Sequence, residues 1–162
     1  MELNNKILKT MNKLICTLVI VLSITLSSNA QESGKWYTSL EEAAKISMTT
    51  GKPIVANFTG SDWCGWCKKL KKEVFDKTEF KNWANENVVL LEVDFPRRVP
   101  QTEELKKQNR ELQQMFKVGG YPTIHVFNVV VKDGKLQLDP LKQSGYVAGG
   151  PKPFIESLGL KK

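Results

Sequence analysis

The sequence predicts an α/β domain with a mixed central sheet that is flanked by helices on both faces. Three short apolar, β-branched segments are typical of buried strands, and stretches with helical spacing of apolar residues separate them. Asp133-Gly134, a strong two-residue hairpin signal, follows the third segment. The element order βα(α)βαββα therefore has helical crossovers early and a hairpin late, which requires parallel and antiparallel strands in one sheet.

The first thirty residues have the pattern of a secretory signal peptide. Lys6, Lys9 and Lys13 give a positive start, residues 14–26 are almost unbroken apolar sequence, and residues 28–30 are small. An uncleaved membrane anchor is the alternative, but thirteen helical residues rise only about 20 Å against an apolar bilayer core of about 30 Å. We therefore expect a signal peptide over residues 1–30 and one domain over residues 31–162.

The predicted export limits the protein's chemistry and its partners. Met11 is an alternative start, because Lys13 alone would still charge the signal, and Cys16 is expected to leave with it. Two cysteines then remain in a compartment where disulfides persist, too few for a disulfide framework. The formal net charge of +7 falls to about +5 without the three lysines and one glutamate of the signal, which indicates a solvated lysine-rich surface. Export argues against a nucleic-acid partner.

The first helix and the first buried strand have clear boundary signals. Ser39 and Glu42 form a capping box, so a helix is predicted to follow and to continue to about Thr49. Gly51 ends it, and residues 53–59 are a short apolar run bounded by turn residues, as expected of a buried strand.

The remaining helices are predicted from the helical spacing of apolar residues, and the remaining strands from short apolar segments. The predicted helices cover residues 68–75, 78–86, 102–116 and 151–158. The predicted strands cover residues 88–95, 123–131 and 136–138.

Cys64 and Cys67 form a Cys-x-x-Cys motif between a predicted strand and a predicted helix. Unpaired amides and the positive end of the helix dipole at that position favour a thiolate, which is the species that attacks disulfides. In such a geometry we expect Cys64 to be the exposed nucleophile. Cys67, one turn further on, is expected to face inward and to resolve the mixed disulfide.

Other uses of the motif are less consistent with the sequence. Structural zinc needs about four nitrogen or sulfur ligands, but beyond the signal the chain offers two cysteines and His125. Covalent haem attachment needs histidine directly after the second cysteine, where this chain has Lys68. An inert structural disulfide in a binding protein stays open. We expect His125 to be a packed strand residue rather than a catalytic base.

These motifs resemble those of the thioredoxin superfamily. The string WCGWCK follows a strand, and the segment GYPT, about fifty residues later, precedes another strand, as the redox motif and the cis-proline loop do in that superfamily. The strings FTGSDWCGWCKKL, EVDFP and KVGGYP are more narrowly similar to exported DsbH-type thioredoxin-like proteins of bacteria. The resemblance implies a thioredoxin fold over nearly all of residues 31–162.

The resemblance also implies an activity. It points to a monomeric thiol–disulfide oxidoreductase, periplasmic or otherwise exported, that acts on protein disulfides without organic cofactor or metal and is regenerated by a membrane electron-transfer partner. Cys64 matches the nucleophile and Cys67 the resolving cysteine. The residues that match client-binding positions are Trp63, Gly65, Trp66, Tyr121 and Pro122. Pro122 matches the cis-proline, where the preceding backbone pairs with a client like an added strand.

Two departures from the family pattern bear on mechanism. Asn57 occupies the position of the buried aspartate that helps to move the resolving cysteine's proton, which leaves Asp62, Glu92 or water as candidates. The dipeptide between the cysteines is Gly65-Trp66 and contains no histidine, so no imidazolium holds Cys64 as thiolate. Because stabilisation of the thiolate makes a couple more oxidising, the lack of an imidazolium favours a reductase or an isomerase over an oxidase.

Overall fold

The structure is a computed structural model that describes residues 34–160. The predicted signal peptide, its cleavage point and Cys16 lie outside the described residues. Within residues 34–160, no helix has the length and apolar character needed to cross a bilayer.

Five strands form one mixed sheet in the order β1-β3-β2-β4-β5. They are β1 (Trp36–Tyr37), β2 (Ile54–Thr59), β3 (Val89–Asp94), β4 (Thr123–Lys132) and β5 (Lys135–Ser144). β3 pairs in parallel with β1 and β2, β4 pairs antiparallel with β2, and β5 pairs antiparallel with β4. The predicted mixed sheet is therefore confirmed.

Helices cover both faces of this sheet, also as predicted. They are α1 (Leu40–Thr50), α2 (Gly65–Leu70), α3 (Thr78–Asn87), α4 (Glu103–Met115) and α5 (Pro151–Ser157). α2 continues directly into one π-helical turn, Lys71–Phe75. Side chains of α1 and α4 join the core cluster on one face, and those of α2, α3 and α5 join the cluster on the other.

The pleat of the central strands decides which side chains face α2. Successive side chains of a strand point to opposite faces. Val55 and Leu90 belong to the cluster that contains α2, α3 and α5. Asn57 and Glu92 follow them by two residues, so they face the same side of the sheet, and they are register partners of each other.

The predicted turn signals have the expected local structure. The Ser39 hydroxyl accepts a hydrogen bond from the Glu42 amide (3.3 Å) and caps α1, which Gly51 ends in the left-handed region at φ 71°. Asp133 and Gly134 both have positive φ (52° and 70°), as a type I′ hairpin turn requires.

Three differences from the sequence-based prediction have physical causes. β1 is only two residues long and is a strand because it pairs with β3, which no local pattern reveals. β5 extends well beyond residues 136–138 because it pairs with β4 as far as Ser144, which lies opposite Ile124. As an edge strand it tolerates Pro140, which lies opposite Phe127 at a register shift. The predicted helix at 68–75 begins at Gly65 and includes the π turn.

Candidate functional site

Cys64 and Cys67 are joined by a disulfide, with their Cα atoms 5.3 Å apart. Cys64 is the extended N-cap of α2, and its Sγ accepts a hydrogen bond from the Cys67 amide at 3.2 Å. The two cysteines are 7% and 5% exposed. The expectation of an exposed Cys64 is therefore wrong for the disulfide form, and the surroundings of the two sulfurs distinguish them instead.

Trp63, directly before the disulfide, has a fixed position. Its indole Nε1 donates a hydrogen bond to the Phe95 carbonyl (2.8 Å), and its ring meets the Tyr121 ring edge-on at 5.9 Å. A Cβ on Gly60 would lie 2.4 Å from the indole, so only glycine allows this placement. The guanidinium of Arg97 lies 4.0 Å from the centre of the Trp63 ring.

The Tyr121-Pro122 segment lies against the disulfide. The peptide bond between these residues is cis, as the resemblance implied, and the Tyr121 carbonyl oxygen is 3.7 Å from Cys64 Sγ. The Tyr121 ring stacks on Phe95 at 5.3 Å, and its hydroxyl accepts a hydrogen bond from Gln113 Nε2 (2.8 Å). Burial raises the pKa of Tyr121, so its hydroxyl stays neutral.

Trp66, between the cysteines, is 57% exposed and does not cover the core. Its ring lies 5.1 Å from that of Tyr146, and the Lys69 ammonium is 5.0 Å from the centre of each ring. The Tyr146 hydroxyl donates a hydrogen bond to Glu73 Oε2 (2.5 Å). These contacts form an exposed aromatic surface beside the disulfide.

Asp62 fastens the loop before Cys64 to the segment that follows β3. Its carboxylate accepts hydrogen bonds from the backbone amides of Arg97 (3.0 Å) and Arg98 (2.6 Å). These bonds, with that of Arg97 the largest, lower the pKa of Asp62. Asp62 is consequently a weak candidate for a proton acceptor.

A pocket of about 350 Å³ lies beside the other sulfur and is lined by Cys67, Asn57 and Glu92 among others. The Asn57 side-chain oxygen is buried without a hydrogen-bond partner. Burial, assisted by the nearby Asp94 carboxylate, raises the pKa of Glu92, while Lys71 opposes the shift. Of the acceptors considered from sequence, Glu92 is thus the carboxylate that shares a pocket with Cys67.

His125 is away from this chemistry. It is 6% exposed and packs between Phe116 (ring centres 4.6 Å apart) and Phe58 (5.7 Å). Both phenylalanines belong to the core cluster of α1 and α4, on the face opposite the pocket. Burial lowers the pKa of His125, which agrees with the predicted packed residue.

Sequence reasoning missed residues whose partners are distant along the chain. Asp94 binds Ser61 in the loop before Cys64, and Tyr146 supports Trp66 from the segment after β5. A Ser-Asp pair directly after a strand is a turn signal that could have pointed to Ser61. No local pattern could have pointed to Tyr146.

Comparison with known proteins agrees with this geometry. A thioredoxin-like domain family matches residues 40–148, a range that includes both cysteines and the Tyr121-Pro122 segment. The disulfide bond reductase DsbH of Chlamydia pneumoniae is 36% identical over 122 residues, which cover 75% of this chain and 69% of that protein. The thioredoxin-related protein DsbJ of the same species is 32% identical over 114 residues, 68% of this chain and 33% of that protein.

A solved structure of a similar protein has a similar fold. A DsbH oxidoreductase superimposes with a TM-score of 0.68 at 32% identity, covering 85% of this chain and 92% of that chain. The chain spans about a third of DsbJ but nearly all of the solved DsbH chain.

Proposed function

We propose that this chain, which belongs to the thioredoxin-like domain family and is a protein disulfide oxidoreductase, works as an exported reductase or isomerase of protein disulfides. The observation that carries the proposal is the placement of the Cys64–Cys67 disulfide at the start of α2, against the Tyr121-Pro122 segment. The mechanism below starts from the reduced form of that pair.

Cys64 is the proposed nucleophile. As the N-cap of α2 its sulfur faces the Cys67 amide, a donor that stabilises a thiolate there. The Cys64 thiolate attacks one sulfur of a client disulfide, forming a mixed disulfide and releasing the first client thiolate. The Cys67 thiolate then attacks the Cys64 sulfur, which closes the Cys64–Cys67 disulfide and releases the second client thiolate. Two electrons pass to the client in total.

Glu92 is the proposed acceptor of the Cys67 proton. The two residues line one pocket, and the pKa of Glu92 is raised. A carboxylate whose pKa lies closer to the working pH is a better proton acceptor. Asp62 is less suitable, because the amides of Arg97 and Arg98 bind its carboxylate and lower its pKa. This role would compensate for Asn57 at the position of the family's aspartate.

The proposed client site surrounds the Cys64 sulfur. The Tyr121 backbone, held by the cis bond to Pro122, is the edge with which an extended client segment would pair. Trp63, directly before the motif, and Trp66, between its cysteines, supply aromatic surface. Gly65 leaves open space, since a Cβ there would meet nothing within 4 Å.

The reducing direction is supported by the motif and by one relative. Gly65-Trp66 offers no imidazole to hold the Cys64 thiolate, and thiolate stabilisation is what makes a couple oxidising. The similar DsbH of Chlamydia pneumoniae is named a disulfide bond reductase. We extend the proposal to a signal peptide over residues 1–30, a monomeric domain over residues 31–162 in the periplasm, and a membrane electron-transfer partner that returns two electrons to the disulfide.

A second function, a binding or chaperone module with a structural disulfide, is favoured by the low exposure of both cysteines. An insulin-reduction assay with dithiothreitol separates the two. We expect residues 31–162 to accelerate insulin precipitation and to equilibrate with glutathione buffers. No acceleration, together with a disulfide that resists mild reductant, would favour the binding module over the reductase. The reduction potential from the glutathione titration then fixes the direction of transfer.

A further inference from the structure

We propose that this site prefers client disulfides whose cysteines are flanked by acidic residues. The inference rests on the proposed function and adds a substrate class to it. It follows from two cations, Arg97 and Lys69, that lie on the rings of Trp63 and Trp66 while the nearby carboxylates are bound to other groups.

Arg97 is the cation beside the first cysteine. Its guanidinium lies 4.0 Å from the centre of the Trp63 ring. The adjacent Asp62 carboxylate binds backbone amides, that of Arg97 included, rather than the guanidinium. Within residues 34–160 the ion pairs are confined to other lysines, so no carboxylate of the described part forms an ion pair with this guanidinium.

Lys69 is the matching cation beside the second cysteine. Its ammonium lies 5.0 Å from the ring centres of both Trp66 and Tyr146. Glu73, four residues along, could pair with it by spacing, but its carboxylate accepts the Tyr146 hydroxyl instead. The described residues offer Lys69 no ion pair.

A third cation lies in the same region. Lys68 donates from its ammonium to the Asp62 backbone carbonyl oxygen (2.8 Å), so its charge is held near the motif without an ion pair among the described residues. The attraction between a cation and the face of an aromatic ring biases where a lysine or arginine head group spends its time.

The three cations Arg97, Lys68 and Lys69 outnumber the two carboxylates placed beside them, those of Asp62 and Glu73, so the surface that a client must cover carries an excess of positive charge. Acidic side chains beside the client's cysteine would meet Arg97 on the Trp63 side and Lys69 on the Trp66 side. Complementary charge of this kind raises association rates by about 10- to 1,000-fold and is weakened by salt. A basic flank would instead bring like charges together.

The test uses three disulfide-linked peptides of equal length that differ only in the residues beside each cysteine, which are acidic, neutral or basic. The pre-reduced protein is mixed with each peptide, quenched with acid and analysed by chromatography for its second-order rate constant. We expect the acidic peptide to react about tenfold faster than the basic one at low salt, and about twofold faster in 0.5 M salt.

Matched variants locate the effect. Arg97→Gln and Lys69→Gln, both at exposed positions, should each reduce the ratio of acidic to basic rates about threefold, and Lys69→Arg should retain it. Lys132→Gln removes the same charge at the exposed far end of β4, about 30 Å along the strand from Pro122, and should leave the ratio unchanged.

The outcomes separate this inference from the function on which it rests. Equal rates for the three peptides would overturn the inference and leave the reductase proposal intact. A ratio that falls as much in Lys132→Gln as in Lys69→Gln would also overturn it, since net charge and not the two cations would then be responsible. If no peptide oxidises the reduced protein, the proposed function fails and the inference fails with it.

Discussion

Asp94, the last residue of β3, binds Ser61 through both carboxylate oxygens. Oδ1 accepts the Ser61 amide at 2.8 Å, and Oδ2 accepts the Ser61 hydroxyl at 2.5 Å. Asp62, which follows Ser61, accepts hydrogen bonds from the backbone amides of Arg97 and Arg98, in the segment after β3. Two carboxylates therefore connect the loop before Cys64 with the end of β3 and the segment that follows it.

Removing the Asp94 carboxylate should loosen the loop that precedes the disulfide. Hydrogen bonds to charged groups contribute about 1.5–3 kcal/mol, so Asp94→Ala should lower the free energy of unfolding by roughly that amount. Urea denaturation of the oxidised protein measures it. Asp94→Asn, which can still accept from the amide and donate to the hydroxyl, is the matched control and should lose less. Equal losses for the two would show that the hydrogen bonds are not the cause.

The sequence predicts the three central strands and the redox motif, but not β1, the full length of β5 or the residues that support the motif. β2, β3 and β4 are apolar runs, and the Cys-x-x-Cys spacing is local, so both can be found in one pass along the chain. Glu92 reaches the pocket of Cys67 because β2 and β3 pair in parallel with Asn57 opposite Glu92. That register depends on packing across the whole sheet, which no local pattern encodes.

The raised pKa of Glu92 predicts a pH-dependent cost to stability. Between the ordinary glutamate pKa and the higher folded value, the folded protein binds more protons than the unfolded chain, so stability falls as pH rises through that window. Glu92→Gln has no charge to bury and should be more stable than the parent at pH 7. The difference should disappear below the ordinary glutamate pKa, where both side chains are neutral.

Thermal melts of the oxidised proteins from pH 4 to pH 8 measure this effect. Glu103→Gln is the control, because the Glu103 carboxylate lies on the surface of α4 in an ion pair with Lys106. It should show no gain in stability at neutral pH. A Glu92→Gln variant that is less stable than the parent at pH 7 would contradict the burial of an unfavourable charge.

His125 should be dispensable for turnover but visible in the pH dependence of stability. Its lowered pKa means that the unfolded chain binds a proton before the folded protein does, so the parent should lose stability as pH falls through the ordinary histidine pKa. His125→Gln should reduce that loss and keep insulin reduction within a few-fold. A fall in turnover above about a hundredfold, roughly 2.7 kcal/mol of barrier, would make His125 part of the mechanism.

The roles of the two cysteines predict opposite results for two single substitutions. Cys64 lies 3.7 Å from the Tyr121 carbonyl oxygen, beside the segment proposed to bind clients, whereas Cys67 lines the pocket with Glu92. Cys67→Ser should therefore accumulate mixed disulfides through Cys64, because no second thiolate remains to release the client. Cys64→Ser should trap almost none. Non-reducing gels of each variant, after incubation with a disulfide-bonded client and alkylation, show the adducts as bands that dithiothreitol removes. Equal trapping by both variants would mean that either sulfur can attack, and the assignment of Cys64 as the nucleophile would be wrong.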